Sequence, residues 1–461
     1  MAGSVRISES EGYSFMRSQK ASPGARRRVV GEVLIHGLSH DGRGLARLKG
    51  KTLFVEGGLP GEQVAVLLTE DRRRFSSGRV ADIESASDER VSPPCRHFKA
   101  CGGCSLQYWS REGQLQGKQN IVLDQLQRFS SLTPLEVADP LISQPYGYRY
   151  RARLSVLWKK GRLSLGFREK QSNQIVDIRE CPVLAGPLQP LPKLLREWLQ
   201  ELNQREAISH AELFLADSGR AIMLRHIRAL PPADLNRLEA FAREQQLYLY
   251  LMGDDKQIRC LFSPVGDPWL YYRIPELDLK FQFRPTDFTQ VNWPINCQMV
   301  TQALDWLELT PQDRVLDLFC GLGNFSLAIA RKAASVIGVE GNAGAVERAA
   351  FNADLNGLKN SRFYQADLAA LVRGNKSGED WMYQRYDAML LDPPRTGAIE
   401  IIEQMKGYLP ERLLYISCNP ATLARDAGVL AKQGFKLVRL GVMDMFPQTG
   451  HVESMALFKK F

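Results

Sequence analysis

Residues 315–330 read VLDLFCGLGNFSLAIA, and their punctuation decides the fold. An apolar strand runs into Gly321-Leu322-Gly323, where it must break, and an apolar helical stretch follows. Glycines let the backbone approach a ligand closely, and a helix start presents N–H groups without intrahelical partners. The same alternation continues outward through SVIGVEG (335–341), YDAMLLDPP (386–394), LLYISC (413–418) and FKLVRLGVMDMF (435–446), with helical stretches between them. Strands alternating with helices predict a doubly wound parallel sheet, a multidomain α/β chain's nucleotide-type layer. In such sheets ligands gather beyond the carboxyl ends of the strands, where Glu340, Asp392 and Cys418 fall.

A dinucleotide site usually carries a third glycine, and Ser326 stands there instead, so pyrophosphate binding is disfavoured. Glu340 ends the next strand, placed to accept bonds from ribose hydroxyls. Asp317-x-Phe319-x-Gly321-x-Gly323 with this acid resembles the S-adenosylmethionine site of Rossmann-like methyltransferases. Asp392 precedes two prolines that cannot continue strand pairing; it either opens a turn or sits beside the methyl donor. In RLLYISCNPATLARD (412–426) Asn419 reads as an N-cap and Pro420 as the first helical residue. Leu423, Ala427 and Leu430 share one helix face, and Gly434 stops it. Cys418 would then sit before a helix N-terminus, where positive potential favours thiolate; an inert strand-end cysteine is the plainer reading. A thiolate beside a methyl donor suits methylation of carbon 5 of a pyrimidine, because addition to carbon 6 makes carbon 5 nucleophilic. The adduct must then lose its carbon-5 proton to a base. DMFPQTGHVES (444–454), read as a polar turn, offers His451 and Glu453, and the chemistry alone does not choose between them.

A chain of 461 residues is too long for one core. Sixty basic against 51 acidic residues favour phosphate-rich partners. No apolar run reaches the roughly 20 residues of a membrane span, and the first residues lack the apolar stretch of a secretory signal, so a cytoplasmic location is expected. The eight cysteines then need a purpose other than disulfides. The expected organisation is a disordered tail over 1–24 and a small OB-like barrel of four or five strands over 25–87. A central α+β domain over 88–285 and the methyltransferase domain over 286–461 complete it. PPCRHFKACGGCSLQY (93–108) spaces Cys95-x5-Cys101-x2-Cys104, and IRECPVL (178–184) adds Cys181. Four thiolates fit an iron–sulfur cluster or a structural zinc; zinc usually takes two Cys pairs, and one triplet with a singleton favours iron–sulfur. Tyr146, Tyr148, Arg149, Tyr150, Arg151 and Arg153 interleave as phosphate contact plus base stacking would need, although an exposed strand face looks the same.

Taken together, CGGC (101–104), FRPTDFTQVN (283–292), LDLFCGLGNFSL (316–327), LDPPR (391–395), SCNPATLARD (417–426) and DMFPQTGHVE (444–453) carry a specific likeness. Over residues 26–461 the chain resembles the RNA uracil-5-methyltransferase family, in the branch that modifies 23S ribosomal RNA. The resemblance implies that the barrel is an RNA-binding TRAM domain and that Cys95, Cys101, Cys104 and Cys181 hold a 4Fe–4S cluster. It implies Cys418 as nucleophile and Glu453 as the base. Gln290, Phe319, Asn324, Glu340, Asp367 and Asp392 match the family's contacts to S-adenosyl-L-methionine. Having both barrel and cysteine cluster points to uridine 1939 of 23S RNA. Another ribosomal or transfer RNA uridine, cytosine-5 methylation, and an RNA-binding assembly factor with an inert domain are the competing readings. A monomer without membrane attachment or obligate protein partner is expected.

Overall fold

The computed structural model describes residues 29–39, 41–368 and 381–461. The tail expected over 1–24 lies outside them. The described residues form two compact units, one of 29–37 and 44–86, the other of 38–39, 41–43, 87–368 and 381–461.

In the first unit, alternation of the kind seen in Lys51–Glu56 and Gln63–Asp71 builds a small β-module. Six strands appear where four or five were expected, the extra one being the two-residue Gly37–Leu38. Val33, from one end of the strand order, and Ala46, from the strand next to the other end, meet Leu53, Val55, Val64 and Val66 in one core, so the sheet wraps around it. Gly78 permits the crossing: a Cβ there would lie 2.5 Å from Val66 Cγ1 and 2.8 Å from the Leu67 carbonyl.

The second unit holds two large sheets. The seven-stranded sheet runs in the order Ile175–Asp177, Arg162–Arg168, Arg151–Lys159, Ile208–Ala216, Gly219–His226, Tyr248–Met252, Ile258–Phe262. One face is apolar at every second position (Ala152, Leu154, Val156; Ala211, Leu213) and is covered by the helices Leu191–Leu199 and Pro232–Glu244. Part of its other face, at Phe214, Met223 and Tyr250, packs with residues of the second sheet's layers such as Ile295, Leu304 and Met445.

The second sheet orders its strands Ser361–Gln365, Ser335–Glu340, Arg314–Leu318, Ala388–Leu391, Arg412–Ser417, Glu453–Lys460, Phe435–Met443, with the short Glu136–Val137 at its edge. The first five pair in parallel, as the strand–helix alternation requires. The expectation of a wholly parallel sheet is corrected at the end: Glu453–Lys460 inserts antiparallel between Arg412–Ser417 and Phe435–Met443. No crossover helix separates Phe435–Met443 from Glu453–Lys460, so they can pair only as a hairpin. The strand order reverses direction between Arg314–Leu318 and Ala388–Leu391, which opens a crevice beyond their carboxyl ends. The helix Arg111–Ser130, from the stretch assigned to the middle of the chain, belongs to this layer: its Ile121, Val122 and Leu126 share a core with Leu423 and Leu430.

Among the described residues no helix is long and apolar enough to cross a membrane. All eight cysteines are free thiols.

Candidate active site

The glycine turn is built by backbone strain. Phe319 adopts φ 65° and Gly323 φ 92°, conformations that side chains resist. At Gly323 the positive φ favours glycine, and a Cβ would also meet Leu327 Cδ1 at 2.5 Å, so that side chain would have to shift. The Phe319 and Cys320 N–H groups donate to the Val339 carbonyl at 2.8 and 3.1 Å, tying the turn to the neighbouring strand. Glu340 accepts from Gly321 N–H (3.2 Å) and Asn342 N–H (2.9 Å), which fixes its carboxylate at the rim. Asn324 is held by a double amide contact with Asn296 (2.9 and 3.1 Å) and accepts from Tyr272 Oη at 3.2 Å. Gln290 lines a small cavity with Tyr150, Asp217, Tyr272 and Trp293. Asp367 is exposed, two residues beyond Gln365, and Ala366 N–H donates to the Glu340 carbonyl at 3.0 Å. Phe319, Glu340, Asp367 and Asp392 lie at or just beyond the carboxyl ends of neighbouring parallel strands, Asn324 lies in the glycine turn, and Gln290 lines a cavity whose Tyr272 bonds Asn324.

Asp317 was absent from the candidate residues, although it stands in the same motif. It is fully buried, accepts from Ser326 Oγ at 2.5 Å, and leaves Oδ1 without a hydrogen-bond partner. Burial first, then the neighbouring Asp392 and Glu340, pushes its pKa up to about 7. An acidic crevice with an orphaned carboxylate oxygen suits a ligand bearing positive charge, as S-adenosyl-L-methionine does.

Asn419 caps the helix Pro420–Lys432, accepting from Ala421 N–H at 3.1 Å, and its amide donates to the Arg395 carbonyl at 3.0 Å. Leu423, Ala427 and Leu430 are fully buried on the inward face, as the spacing predicted. Cys418 is half-buried at the strand end. The antiparallel register that pairs Ser417 with Ser454 brings Cys418 and Glu453 to the same end of the two strands, close enough for the Glu453 charge to act on the thiol. The expectation of a thiolate favoured by the helix start is corrected here. Burial, then Glu453 and Asp392, push the Cys418 thiol up to about 11, with Arg395 pulling the other way. A partial charge of about half a unit at a helix end is outweighed by lost solvation and two carboxylates.

Glu453 is pushed up to about 8 by burial and Asp392, with Arg395 and Lys118 opposing. Asp392, raised to about 7 by burial, follows the strand Ala388–Leu391 and its N–H donates to the Leu318 carbonyl at 3.3 Å. His451 lies 3.4 Å from Arg395 Nη2, and partial desolvation of its imidazole, then Arg395, Lys118 and Arg149, push it down.

Residues 444–452, expected as a polar turn, form a largely buried strap instead. Lys118 Nζ donates to Asp444 Oδ1 at 2.7 Å and to the Phe446 carbonyl at 3.0 Å, with both side chains 2% exposed. Arg111 adds a second contact to Asp444 at 3.3 Å. Tyr148 is buried and donates to the Pro447 carbonyl at 3.0 Å, so it is not free to stack on a base as the Arg/Tyr pattern suggested. Ser105 and Leu106 N–H groups donate to the Gln448 carbonyl, and Gly450 N–H donates to Ser105 Oγ at 3.0 Å. Sequence reasoning missed Lys118 and Arg395; Arg395 adjoins a recognised motif, while Lys118 carries no local signal.

Cys95, Cys101, Cys104 and Cys181 require a correction of degree. Among the described residues no group of three or more His, Cys, Asp or Glu side chains stands in metal-holding geometry. The four are nonetheless neighbours. Burial raises Cys104 to about 11 and Cys181 to about 12, and each feels the charge of others in the set.

Residues 110–461 match the family described as tRNA (Uracil-5-)-methyltransferase, and residues 26–81 match the TRAM domain. The 23S rRNA (uracil(1939)-C(5))-methyltransferase RlmD of Pseudomonas aeruginosa (strain UCBPP-PA14) is 45% identical over 459 residues, 99% of this chain and 98% of that protein. The protein of the same name from Psychromonas ingrahamii is 42% identical over 443 residues, covering 95% and 98%. Among solved structures, Pyrococcus abyssi tRNA (uracil-54, C5)-methyltransferase, in complex with S-adenosyl-L-homocysteine, superposes with TM-score 0.69 at 24% identity. It covers 93% of this chain and 99% of that one, a likeness of fold.

Proposed function

The chain belongs to the tRNA (uracil-5-)-methyltransferase family, and from that premise we propose that it methylates carbon 5 of a uridine in 23S ribosomal RNA, the uracil 1939 for which its relatives are named. What supports the mechanism is that Cys418 and Glu453 stand at the same end of two paired strands, with Asp392 acting on both.

We assign Cys418 the addition to carbon 6 of the base. Its thiol must first give its proton to solvent, and Arg395 is the neighbouring cation that favours the thiolate left behind. The new S–C6 bond pushes the ring electron pair toward O4 and carbon 5, making carbon 5 a nucleophile. S-adenosyl-L-methionine, when bound, supplies an electrophilic methyl group. We assign its binding to Gln290, Phe319, Asn324, Glu340, Asp367 and Asp392, with the unpartnered Asp317 Oδ1 beneath them. After methylation carbon 5 carries both a proton and a methyl. Glu453, as carboxylate, takes the proton; the electron pair reforms the C5–C6 double bond and expels the thiolate. The raised proton affinity of Glu453 makes it a stronger base than an exposed carboxylate.

We further propose a division of labour: residues 25–87 as RNA-binding barrel, 88–285 as central domain, and 286–461 as catalytic domain, the last completed by Arg111–Ser130. A location in the cytoplasm and a monomeric state go with this reading. For Cys95, Cys101, Cys104 and Cys181 we propose the 4Fe–4S cluster. Burial and the other cysteines of the set make Cys101, Cys104 and Cys181 costly to ionise without a compensating cation, which is the donor chemistry such a group satisfies. A bound cluster would supply cross-linking between Cys181 and the segment whose Ser105 and Leu106 hold the strap.

The test is RNA carrying 5-fluorouridine at the target. Fluorine does not leave as a cation, so Glu453 has nothing to remove and a stable covalent complex forms. Cys418→Ala should form none, and a complex formed by that variant refutes the assignment. Mass analysis of nucleosides from methylated RNA separates uridine from cytidine as target.

A further inference from the structure

The seven-stranded sheet has one face that the two helices cover and another only partly covered. The register decides which side chains reach the second. Lys159 pairs with Arg162, Arg153 with Glu212, and His210 with both Ser155 and Arg225. Since Ala152, Leu154, Val156, Leu165, Ala211 and Leu224 line the helix-covered core, their alternates point the other way. Over Phe214, Ala221 and Met223 that side is buried under the catalytic layer. Over Arg151–Lys159 and Arg162–Arg168 it presents no member of any hydrophobic cluster; its one large apolar side chain, Leu157, is 46% exposed.

This open half is strongly cationic. Arg153, Lys159, Arg162 and Arg168 are exposed and Arg225 half-buried. Within these strands Glu212 is the acid on that face. Its side chain is 5% exposed and ringed by Arg225 at 3.0 Å, Arg151 at 3.4 Å and Arg153 at 3.7 Å. One buried carboxylate cannot neutralise these cations, but it can fix how the guanidiniums splay. His210, beside them, is pushed down by burial and then by Arg153 and Arg225, with Arg168 also contributing, so the cations converge. Arg151 connects the face to the crevice edge: it donates to the Pro285 and Asp287 carbonyls at 2.8 Å, just before Gln290.

We propose that this face, with Arg153 and Arg225 against Glu212 and with Arg168, Lys159 and Arg162 farther along the same hairpin, grips the sugar–phosphate backbone of the substrate RNA beside the target uridine. The inference rests on the reading of the chain as an RNA methyltransferase and adds a docking surface to it. Guanidiniums forked by a fixed counter-ion suit phosphate oxygens, and cations repeating on a flat pleat suit a polyanion more than an isolated acidic side chain. A base-specific role is not part of it.

The experiment measures binding of an RNA fragment carrying the target uridine by fluorescence anisotropy across a salt titration. Lys159→Gln/Arg162→Gln/Arg168→Gln, checked for folding by circular dichroism, removes three exposed charges. Losing three phosphate contacts should flatten the log–log salt slope by about 2 and weaken binding roughly 50-fold near 0.15 M salt. In the unaltered protein, RNA should protect Lys159 from acetylation, read by mass spectrometry. An unchanged slope and affinity, or Lys159 equally acetylated with RNA bound, overturns the proposal while leaving uracil methylation intact. A protein that methylates no RNA yet binds it through this face would instead sink the proposed function and leave the surface standing.

Discussion

Glu453→Gln separates formation of the covalent adduct from its resolution, and the pH dependence of each half can be worked out beforehand. Addition needs the Cys418 thiolate, with the thiol at about 11; proton removal needs the Glu453 carboxylate, with the acid at about 8. From pH 7 to 8.5 the thiolate fraction rises about 30-fold without levelling, while the carboxylate fraction goes from about 0.09 to about 0.76, roughly 8-fold and flattening. The adduct present at steady state scales with their ratio and should rise about fourfold over that interval. Rapid quenching and denaturing gels give the adduct. Tritium release from carbon-5-labelled uridine gives the resolution step. In Glu453→Gln the adduct should form, methylate and persist, with tritium release at least 100-fold slower. Because an ionised Glu453 raises the thiol's pKa, the variant's adduct should form no more slowly than the parent's at pH 8.5. Addition and tritium release with the same pH profile, or tritium release undiminished in the variant, would refute the assignment of two groups to two steps.

Other consequences can be measured on the protein alone. Lys118→Met leaves the buried Asp444 with only the Arg111 contact. It should cost about 3 kcal/mol, read from the denaturant midpoint, and Lys118→Met/Asp444→Asn should recover most of it. Asp317, Asp392 and Glu453 all have folded-state pKa values raised above their ordinary range, to about 7, 7 and 8. Their contribution is full below about pH 4 and is lost as pH rises through 7 to 8, because the folded form then binds more protons than the unfolded one. Thermal melting should therefore fall across pH 5–8.5 from these groups, and Glu453→Gln should flatten the fall. Asn324→Ala cuts the amide contact with Asn296 and should weaken S-adenosyl-L-methionine binding on the order of tenfold by calorimetry. Unchanged affinity would remove Asn324 from the donor site.

What could be read beforehand was local. The strand–glycine–helix signal of 315–330 and the Asn419-Pro420 helix start depend on residues within a turn of one another, and both appear where expected. The approach of Glu453 to Cys418 depends on which strands pair, and an inserted antiparallel strand carries no mark in its own residues. Lys118 lies 326 residues from Asp444, and a lysine on a mostly polar helix gives no reason to expect burial. The thiol's pKa was misjudged because the helix end is visible in the sequence whereas the two carboxylates come from other strands. The strap looked like a surface turn for the same reason: its polar residues have partners that only the tertiary structure supplies.

The insertion of Glu453–Lys460 between two strands that precede it in the chain has a consequence for biogenesis. While a ribosome is still making this protein, Arg412–Ser417 and Phe435–Met443 emerge with an empty lane between them. Neither hydrophobic layer can close until that lane is filled. The acid arrives with the same segment that seals the sheet, so a nascent chain has neither a closed site around the thiol nor its proton acceptor. Chemistry and completion of the fold are switched on together.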